Sequence, residues 1–436
     1  MSTRRRLHLG PLAGVGSTGA GVLAAGLCTY AFLTLAGRVL GPTDFAPVSA
    51  LWALVFVVGP GLFLPLQQEM GRLLAPQRAE RGGRRARTLV GVVGAGLVVA
   101  VVAAALLLAD PLVDEVFAGQ EALLWCFLGS VLAYAHNFLV RGTMTGLGDF
   151  SGYGALVFAE GAIRLVLAAA ATLAGARTPT TYGVAIAVSP LLATLLVTRL
   201  GRRTRLTPGH HVATDRVVVA MAWLTSGSLL AQLVANAGPV LVQVLSAAGS
   251  QAAGIFLSAL VVARLPLYLF QAVQATMLPN FSALAARGQH EEFRAGVRRL
   301  VQVCLALVAI TTLAAAALGP WAVALLFGPD FDVARRTITI LTGASSVYLL
   351  ATAMVNVGVA AGRHHLATWC WSAGTAAFVI VAAVVGDLLL RAELAYLAGS
   401  CVAAAVPLAL VAGRRVHVGQ ERLSGGGSGT PPTPVS

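Results

Sequence analysis

The chain has 436 residues, of which 57% are hydrophobic and only 11% charged, and 30 basic against 17 acidic residues give it a formal net charge of +13. A soluble domain carries about 25% charged residues, so this composition excludes a soluble fold and predicts an all-α, polytopic membrane protein. All the basic residues are Arg, and the absence of Lys excludes a Walker A motif and Schiff-base lysine chemistry.

Apolar stretches of about 20 residues, the length that crosses a bilayer, recur about twelve times along the chain. The predicted spans are 11–36, 47–66, 89–109, 122–140, 150–175 and 182–198 in the first half, and 217–244, 252–279, 300–319, 338–360, 368–386 and 394–412 in the second. The stretch 320–337 contains an apolar piece that is too short to cross, and we expect this piece at the outer interface.

The distribution of arginine predicts the orientation of these spans. If the N-terminus is cytoplasmic, 23 arginines, including Arg141, fall in cytoplasmic segments, five in outer segments, and Arg164 and Arg264 within spans. This asymmetry follows the positive-inside rule, so we expect both termini inside and a multi-pass protein of the cytoplasmic (inner) membrane. The net charge then faces the anionic membrane lipids, and we expect no nucleic-acid partner.

Short repeats indicate two related halves. Residues 41–45 read GPTDF and residues 328–331 read GPDF, and both segments lie on the outer side of the predicted topology. Six spans per half predict two pseudo-symmetric six-helix bundles around a cavity. The predicted units are an N-terminal bundle at 1–205 that includes an inner Arg-rich connecting loop, a C-terminal bundle at 206–415 and a disordered cytoplasmic tail at 416–436.

Glycine and proline mark places where the spans are expected to bend. Pro60 lies between two glycines in the second span, Gly238 and Pro239 are adjacent in the seventh, and Pro266 interrupts the eighth. Proline removes a backbone hydrogen bond, and broken helices occur where transporters bind substrate or move. These four residues are therefore the predicted hinges, although Pro and Gly are common in membrane helices in general.

Few charges lie within the predicted spans. Glu160 and Arg164 are four residues apart, on one helix face, and form either a structural ion pair or a coupling site. Arg264 has no acidic residue three or four positions away, which favours an anionic ligand in a water-filled cavity. Snorkelling, or a bond to Glu160 on another helix, is the alternative for Arg264.

Three further charged residues lie at the ends of spans. Glu69 and Arg72 follow the second span, at the inner mouth of the expected cavity, and Arg38 follows the first span, close to Asp44. These residues either line the cavity or belong to the interfacial belt that is common at helix ends.

Cysteine and histidine give no sign of a catalytic centre. The five cysteines lie inside apolar runs without a CxxC pair, and histidines pair only at 210–211 and 364–365. Neither an HExxH motif nor a nucleophile–base arrangement is present, so we expect no metal, no cofactor and no enzymatic activity.

Three segments carry a resemblance to a known family. Residues 263–270 (ARLPLYLF) with 275–279 (ATMLP) resemble helix eight of the multidrug/oligosaccharidyl-lipid/polysaccharide flippase superfamily. Residues 37–45 (GRVLGPTDF) and 326–331 (LFGPDF) are similar to the segments after helices one and nine of its polysaccharide exporters. The twelve spans also fit this exporter branch.

The resemblance implies a flippase that moves polyprenyl-pyrophosphate-linked sugars by alternating access. By position, Arg264 would hold the lipid pyrophosphate, with Arg38 and Arg72 as further substrate-binding candidates. One alternative is a cation-coupled multidrug antiporter in which Glu160 or Glu69 carries the coupling ion. The other is a non-transporting scaffold that assembles with glycosyltransferases or a polymerase for envelope polysaccharide synthesis.

Overall fold

A computed structural model of the chain describes residues 10–75, 84–200, 214–247, 249–265, 287, 289–360 and 365–413. Within these residues the backbone is almost entirely helical, and no strand occurs. A helix satisfies its own backbone hydrogen bonds, as a hydrocarbon environment requires. The predicted all-α, polytopic class is confirmed.

The helices of more than ten residues in the described part of the chain are named α1 to α12. They are α1 (Gly10–Val58), α2 (Leu64–Leu74), α3 (Arg84–Leu107), α4 (Glu121–Leu147), α5 (Phe150–Leu173), α6 (Pro179–Leu200), α7 (Thr214–Leu245), α8 (Ala252–Ala263), α9 (His290–Phe327), α10 (Arg335–Ala360), α11 (His365–Val384) and α12 (Leu388–Gly413). Single π-helical turns lie at Gly59–Phe63 and Leu112–Val116.

Ten helical segments of the described residues are long and apolar enough to cross a membrane. The first, Thr18–Leu74, has 57 residues, and a straight helix of that length would extend about 85 Å, against a hydrocarbon core of about 30 Å. It contains two predicted spans, because Gly41 (φ 70°, ψ 170°) breaks the helix between them. The total of twelve spans and the cytoplasmic termini stay predictions.

Three boundaries differ from the predicted spans. Helix α4 continues to Leu147, past the predicted span end at residue 140, so the placement of Arg141 in a loop is wrong. Helix α9 runs without interruption through Pro320 to Phe327, so the apolar piece expected at the interface continues the preceding helix. Helix α8 ends at Ala263, and the remainder of its predicted span, 266–279, lies outside the described residues.

Small residues let helices pack closely within each half of the chain. The Cβ position of Gly21 on α1 lies 2.5 Å from the carbonyl oxygen of Gly154 on α5, and the Cβ position of Gly374 on α11 lies 2.7 Å from the carbonyl oxygen of Gly399 on α12. Only glycine permits such backbone approach, which membrane helices use to gain van der Waals contact. The boundary at 205/206 and the tail at 416–436 lie outside the described residues, so this division into units stays a prediction.

The two repeated segments meet at the predicted outer end of the bundle. Gly41 and Gly328 both have positive φ; Gly41 breaks α1 and Gly328 follows the last residue of α9. Beside them, the ring of Phe45 lies 6.1 Å from that of Phe327 and 6.0 Å from that of Phe331. The sequence repeat therefore forms a direct contact between the two halves.

Candidate functional site

Arg264 lies at the carboxyl end of α8, where the helix stops. Its backbone (φ −96°, ψ −3°) caps the helix, and the half-buried side chain points toward α7. Nη1 donates to Asn236 Oδ1 at 2.9 Å, and Nη2 donates to the carbonyl oxygen of Ala235. A helix carboxyl terminus carries partial negative charge, which favours a guanidinium there.

The groups around Arg264 are held in place by their own contacts. Asn236 donates from Nδ2 to Gln232 Oε1 at 2.9 Å, which turns its Oδ1 toward the guanidinium. On the other side the ring of Tyr396 lies 5.9 Å from Arg264 Cζ. The ring of Tyr348, in turn, packs against that of Tyr396 at 6.2 Å. Arg264 is thus oriented by neutral groups.

Arg264 forms no ion pair with an acidic residue among those that the structure describes. The alternative partner considered from the sequence, Glu160, is engaged elsewhere. Since Asn236 and the carbonyl group of Ala235 are uncharged, the guanidinium keeps its full positive charge at the site.

A second cluster, fully inside the N-terminal half, surrounds Glu160. Its Oε1 accepts hydrogen bonds from Tyr134 Oη and Arg164 Nη2, both at 2.8 Å, and its Oε2 accepts one from Arg141 Nη2 at 2.5 Å. Two guanidinium groups and one carboxylate leave this cluster with a net charge of +1. The sequence predicted the Glu160–Arg164 pair but not the two further partners.

The side chain of Arg164 is enclosed on every side. The residue is 1% exposed, and its Nε donates to Ser189 Oγ at 3.2 Å. The rings of Trp52 and Phe32 lie 5.3 and 6.0 Å from its Cζ. Aromatic faces stabilise a desolvated cation. Side chains from α1, α4, α5 and α6 thus surround this buried charge.

Arg72 binds Glu69 with two parallel hydrogen bonds. Nε and Nη2 of Arg72 lie 2.8 and 2.5 Å from Oε2 and Oε1 of Glu69. The Glu69 side chain is 1% exposed and that of Arg72 is 62% exposed. The carboxylate is therefore buried against the bundle while the arginine reaches the surface.

Arg38 bridges the two halves at the predicted outer end. Its Nε donates to the carbonyl oxygen of Leu326 at 2.5 Å, and its Nη2 donates to that of Leu325. These carbonyl groups lie in the last turn of α9, which the helix itself leaves without partners. Among the described contacts, Arg38 thus fastens α1 to α9 rather than approaching Arg264.

The predicted hinge residues occupy different settings. Pro60 lies in the π-helical turn Gly59–Phe63, and its carbonyl oxygen accepts a hydrogen bond from Ser228 Oγ at 3.1 Å. Helix α7 continues through Gly238 and Pro239, and Gly238 packs directly against a phenylalanine ring of α8. Pro266 lies outside the described residues. Their role as hinges stays a prediction.

Several polar residues of these clusters were not predicted from the sequence. Arg141 and Asn236 belong to the two sites described above, and Glu393 is buried near the start of α12, where its Oε1 accepts from Thr337 Oγ1 at 2.7 Å. One signal was available for Arg141, since Gly148 is a typical residue after a helix end and would have extended the helix past it. In the described part of the chain, no three His, Cys, Asp or Glu side chains cluster as metal ligands would.

No protein-family profile matches the chain. It is similar in sequence to uncharacterized mycobacterial proteins of almost the same extent. One from Mycobacterium tuberculosis (strain ATCC 25618 / H37Rv) is 28% identical over 412 residues, which cover 91% of this chain and 92% of the relative. A second from that strain is 27% identical over 420 residues, 93% of either chain, and one from Mycobacterium bovis is 26% identical over 412 residues.

Solved structures of MATE transporters share the fold. An inward-facing multidrug resistance MATE family transporter of the MOP superfamily superimposes with a TM-score of 0.69 at 15% identity, over 89% of this chain and 94% of that one. An outward-facing structure gives 0.66 at 14% identity over 94% and 98% of the two chains. The Vibrio cholerae transporter VcmN gives 0.65 at 14% over 92% and 96%.

The chain is thus a multi-pass, all-helical membrane protein with the fold of MATE transporters. The fold agrees with the resemblance that the sequence carries, while membership of the superfamily itself stays a prediction. The polysaccharide-exporter branch stays a prediction.

Proposed function

We propose that the protein is a flippase or exporter that moves a polyprenyl-pyrophosphate-linked oligosaccharide or polysaccharide precursor across the cytoplasmic membrane. The observation that carries this proposal is the environment of Arg264, a half-buried guanidinium whose described partners are all uncharged. The planar guanidinium fork matches the geometry of phosphate oxygens, and its charge is not consumed by a carboxylate.

The neutral partners also allow the ligand to exchange places with them. If a pyrophosphate displaced Asn236 from Arg264, the amide would lose one hydrogen bond but no charge would be left unpaired. Releasing a buried carboxylate from an arginine would cost several kcal/mol more, roughly 3–5 kcal/mol in comparable cases. The site is therefore suited to bind an anion reversibly, as alternating access requires.

In this proposal the lipid tail stays in the bilayer while the two halves move about the site. The sugar part would occupy the space between the halves, and glycosyltransferases or a polymerase would supply or use the substrate. The fold supports a transporter, since the similar solved structures are transporters in inward-facing and outward-facing conformations.

A cation-coupled multidrug antiporter is the second candidate, and the likeness to multidrug MATE transporters favours it. An antiporter of this kind requires a carboxylate that is not paired with an arginine and can therefore bind a cation or a proton. Glu160 is bound by two arginines and Glu69 by one. The two carboxylates suggested for coupling are thus already neutralised by the protein's own cations, which weighs against this candidate.

The decisive experiment is transport by the purified protein in proteoliposomes, with a short-chain polyprenyl-pyrophosphate-linked oligosaccharide in one set and a cationic dye in the other. We expect transport of the lipid-linked sugar and its loss, by about a hundredfold, in Arg264→Ala, because charge-assisted hydrogen bonds to phosphate contribute about 1.5–3 kcal/mol each. Arg264→Lys should retain part of the activity.

Arg177→Ala is the matched control, since Arg177 is an exposed arginine in the loop between α5 and α6. Dye transport without sugar transport would favour the antiporter. Full complementation in cells by an Arg264→Ala protein that transports neither substrate would favour the scaffold. Undiminished sugar transport by Arg264→Ala would remove the proposed anion site.

A further inference from the structure

A cavity of about 710 Å³ lies between the beginning of α9 and the end of α12. Among the described residues, its lining includes none of those that surround Arg264 or Glu160. It opens at the end of the bundle that is predicted to be cytoplasmic. This cavity has no part in the transport mechanism proposed above.

One wall of the cavity is polar and comes from a single face of α9. Glu291, Arg294, Arg298 and Gln302 follow one another at intervals of three and four residues, so they lie along one side of the helix. Two arginines and one carboxylate give this wall a net charge of +1. That charge complements one phosphodiester, which carries a single negative charge.

The floor of the cavity is apolar. Val297 is 2% exposed, and Val301 and Leu408 are half-buried beside it, the latter on α12. A soluble anion gains nothing from such a floor, whereas the chain of a lipid buries apolar area there, at about 25 cal/mol per Å². The polar wall and the apolar floor together suit an amphiphilic ligand with a charged headgroup and an apolar chain.

The depth of the cavity also matches a lipid headgroup. Helix α9 crosses the predicted membrane boundary here, since its predicted span begins at residue 300, directly after the arginines. Basic pockets between membrane helices on the cytoplasmic side bind anionic headgroups. Arg294, Arg298 and neighbouring Arg299 are all exposed, but only Arg294 and Arg298 line the cavity, so general positive-inside charge does not explain which arginines face it.

We propose that this cavity binds an anionic phospholipid of the cytoplasmic leaflet. Arg294 and Arg298 hold the phosphodiester, the amide of Gln302 donates to it, and the first methylene groups of the acyl chains lie on the apolar floor. Glu291, at the rim, accepts a hydrogen bond from a headgroup hydroxyl, so phosphatidylglycerol is the preferred probe. The site goes beyond the proposed transport function and does not depend on it.

The test measures phosphatidylglycerol binding to the purified full chain in nanodiscs of phosphatidylcholine doped with spin-labelled phosphatidylglycerol. Arg294→Gln and Arg298→Gln, singly and together, should weaken binding, the double variant by at least about tenfold. Arg299→Gln removes the same charge one residue away and should stay within about twofold of the unaltered protein. If the double variant does not fold, the weaker binding expected of each single variant still tests the proposal.

Two further arms identify the source of the phosphate. Inorganic phosphate and glycerophosphate should fail to displace the lipid at millimolar concentration, and Leu408→Gln should weaken phosphatidylglycerol binding. Equal weakening in Arg299→Gln would mean that only general surface charge attracts the lipid, which overturns the proposal. Displacement by inorganic phosphate, or unchanged binding in the double variant, would overturn it as well.

Discussion

Arg141 Nη2 lies 2.5 Å from Glu160 Oε2, and this ion pair joins α4 to α5 on the carboxylate that also binds Arg164. One acidic group thus balances two guanidinium groups within the membrane-spanning helices. An unpaired charge is costly within a membrane, at least about 2.5 kcal/mol at the bilayer centre, so the carboxylate stabilises both arginines. The N-terminal half therefore depends on Glu160 for its packing.

Glu160→Gln should destabilise the protein strongly. The amide leaves two desolvated guanidinium groups without a counter-charge, which costs about 3–5 kcal/mol in comparable buried pairs. We expect a clear fall in Tm in detergent, measured by tryptophan fluorescence. Glu121→Gln, which alters an exposed carboxylate at the start of α4, should change the Tm little. Equal Tm values for the two variants would contradict the structural role of Glu160.

The Glu69–Arg72 pair predicts an asymmetric response, because only the carboxylate is buried. Arg72→Ala leaves a buried charge unpaired and should lower the free energy of unfolding by about 2–3 kcal/mol. Glu69→Gln leaves an exposed arginine that water solvates, so it should cost about 1 kcal/mol or less. Chemical denaturation of the two variants in the same detergent measures the free energy of unfolding of each. A larger loss in Glu69→Gln than in Arg72→Ala would show that the burial of Glu69 does not determine the stability of the pair.

The fold was predictable because its signals are local. Apolar length and the arginine distribution predict where helices lie, since both reflect the bilayer as a solvent. The boundaries were less predictable, because a helix continues past its apolar stretch until a cap ends it. Gly148 ends α4 in this way, and at the other kind of boundary Asp387 caps the beginning of α12, where its carboxylate accepts from the backbone N–H of Leu390 at 2.8 Å.

The site was predictable only in part. Glu160 and Arg164 are four residues apart on one helix, so helical periodicity alone pairs them. Arg141 and Asn236 reach their partners across helix interfaces, and the distances between helices are not encoded in any local pattern. The sequence therefore singled out Arg264 as a charge without a local partner but left its actual partners open.

Gly254 controls how closely the two halves approach at the predicted outer end. Its Cβ position lies 2.3 Å from the carbonyl oxygen of Pro42, so any larger side chain must separate α8 from α1. Gly254→Leu should loosen this end and expose Phe331, which is 2% exposed. In a background without native cysteines, Phe331→Cys should then react with a membrane-impermeant maleimide about ten times faster, equivalent to about 1.4 kcal/mol.

The control for that experiment is Gly91→Leu, since, outside the adjacent backbone of α3 itself, no atom of the described residues lies within 4 Å of the Cβ position of Gly91. It adds the same side chain without touching the other half. Labelling that rises equally in both variants would mean that general destabilisation, rather than the contact between Gly254 and Pro42, limits access to residue 331.

Asn236→Asp tests the charge of the proposed anion site without altering Arg264 itself. The substitution places a carboxylate where an amide oxygen now lies 2.9 Å from Arg264 Nη1, so an internal ion pair replaces the neutral hydrogen bond. The protein should remain folded, because the new charge is compensated. Transport of the lipid-linked sugar should fall by about tenfold or more, since the substrate must now compete with an ion pair worth about 1.5–3 kcal/mol.

Asn236→Ser is the matched variant, because it keeps a neutral oxygen and adds no charge. It should retain most of the transport activity in the same proteoliposomes. If the serine variant lost as much activity as the aspartate variant, the position of the amide rather than the free charge of Arg264 would matter, and the anion site would lose its main support. A loss specific to aspartate ties transport to the uncompensated guanidinium, because the two variants differ chiefly in whether that charge is neutralised.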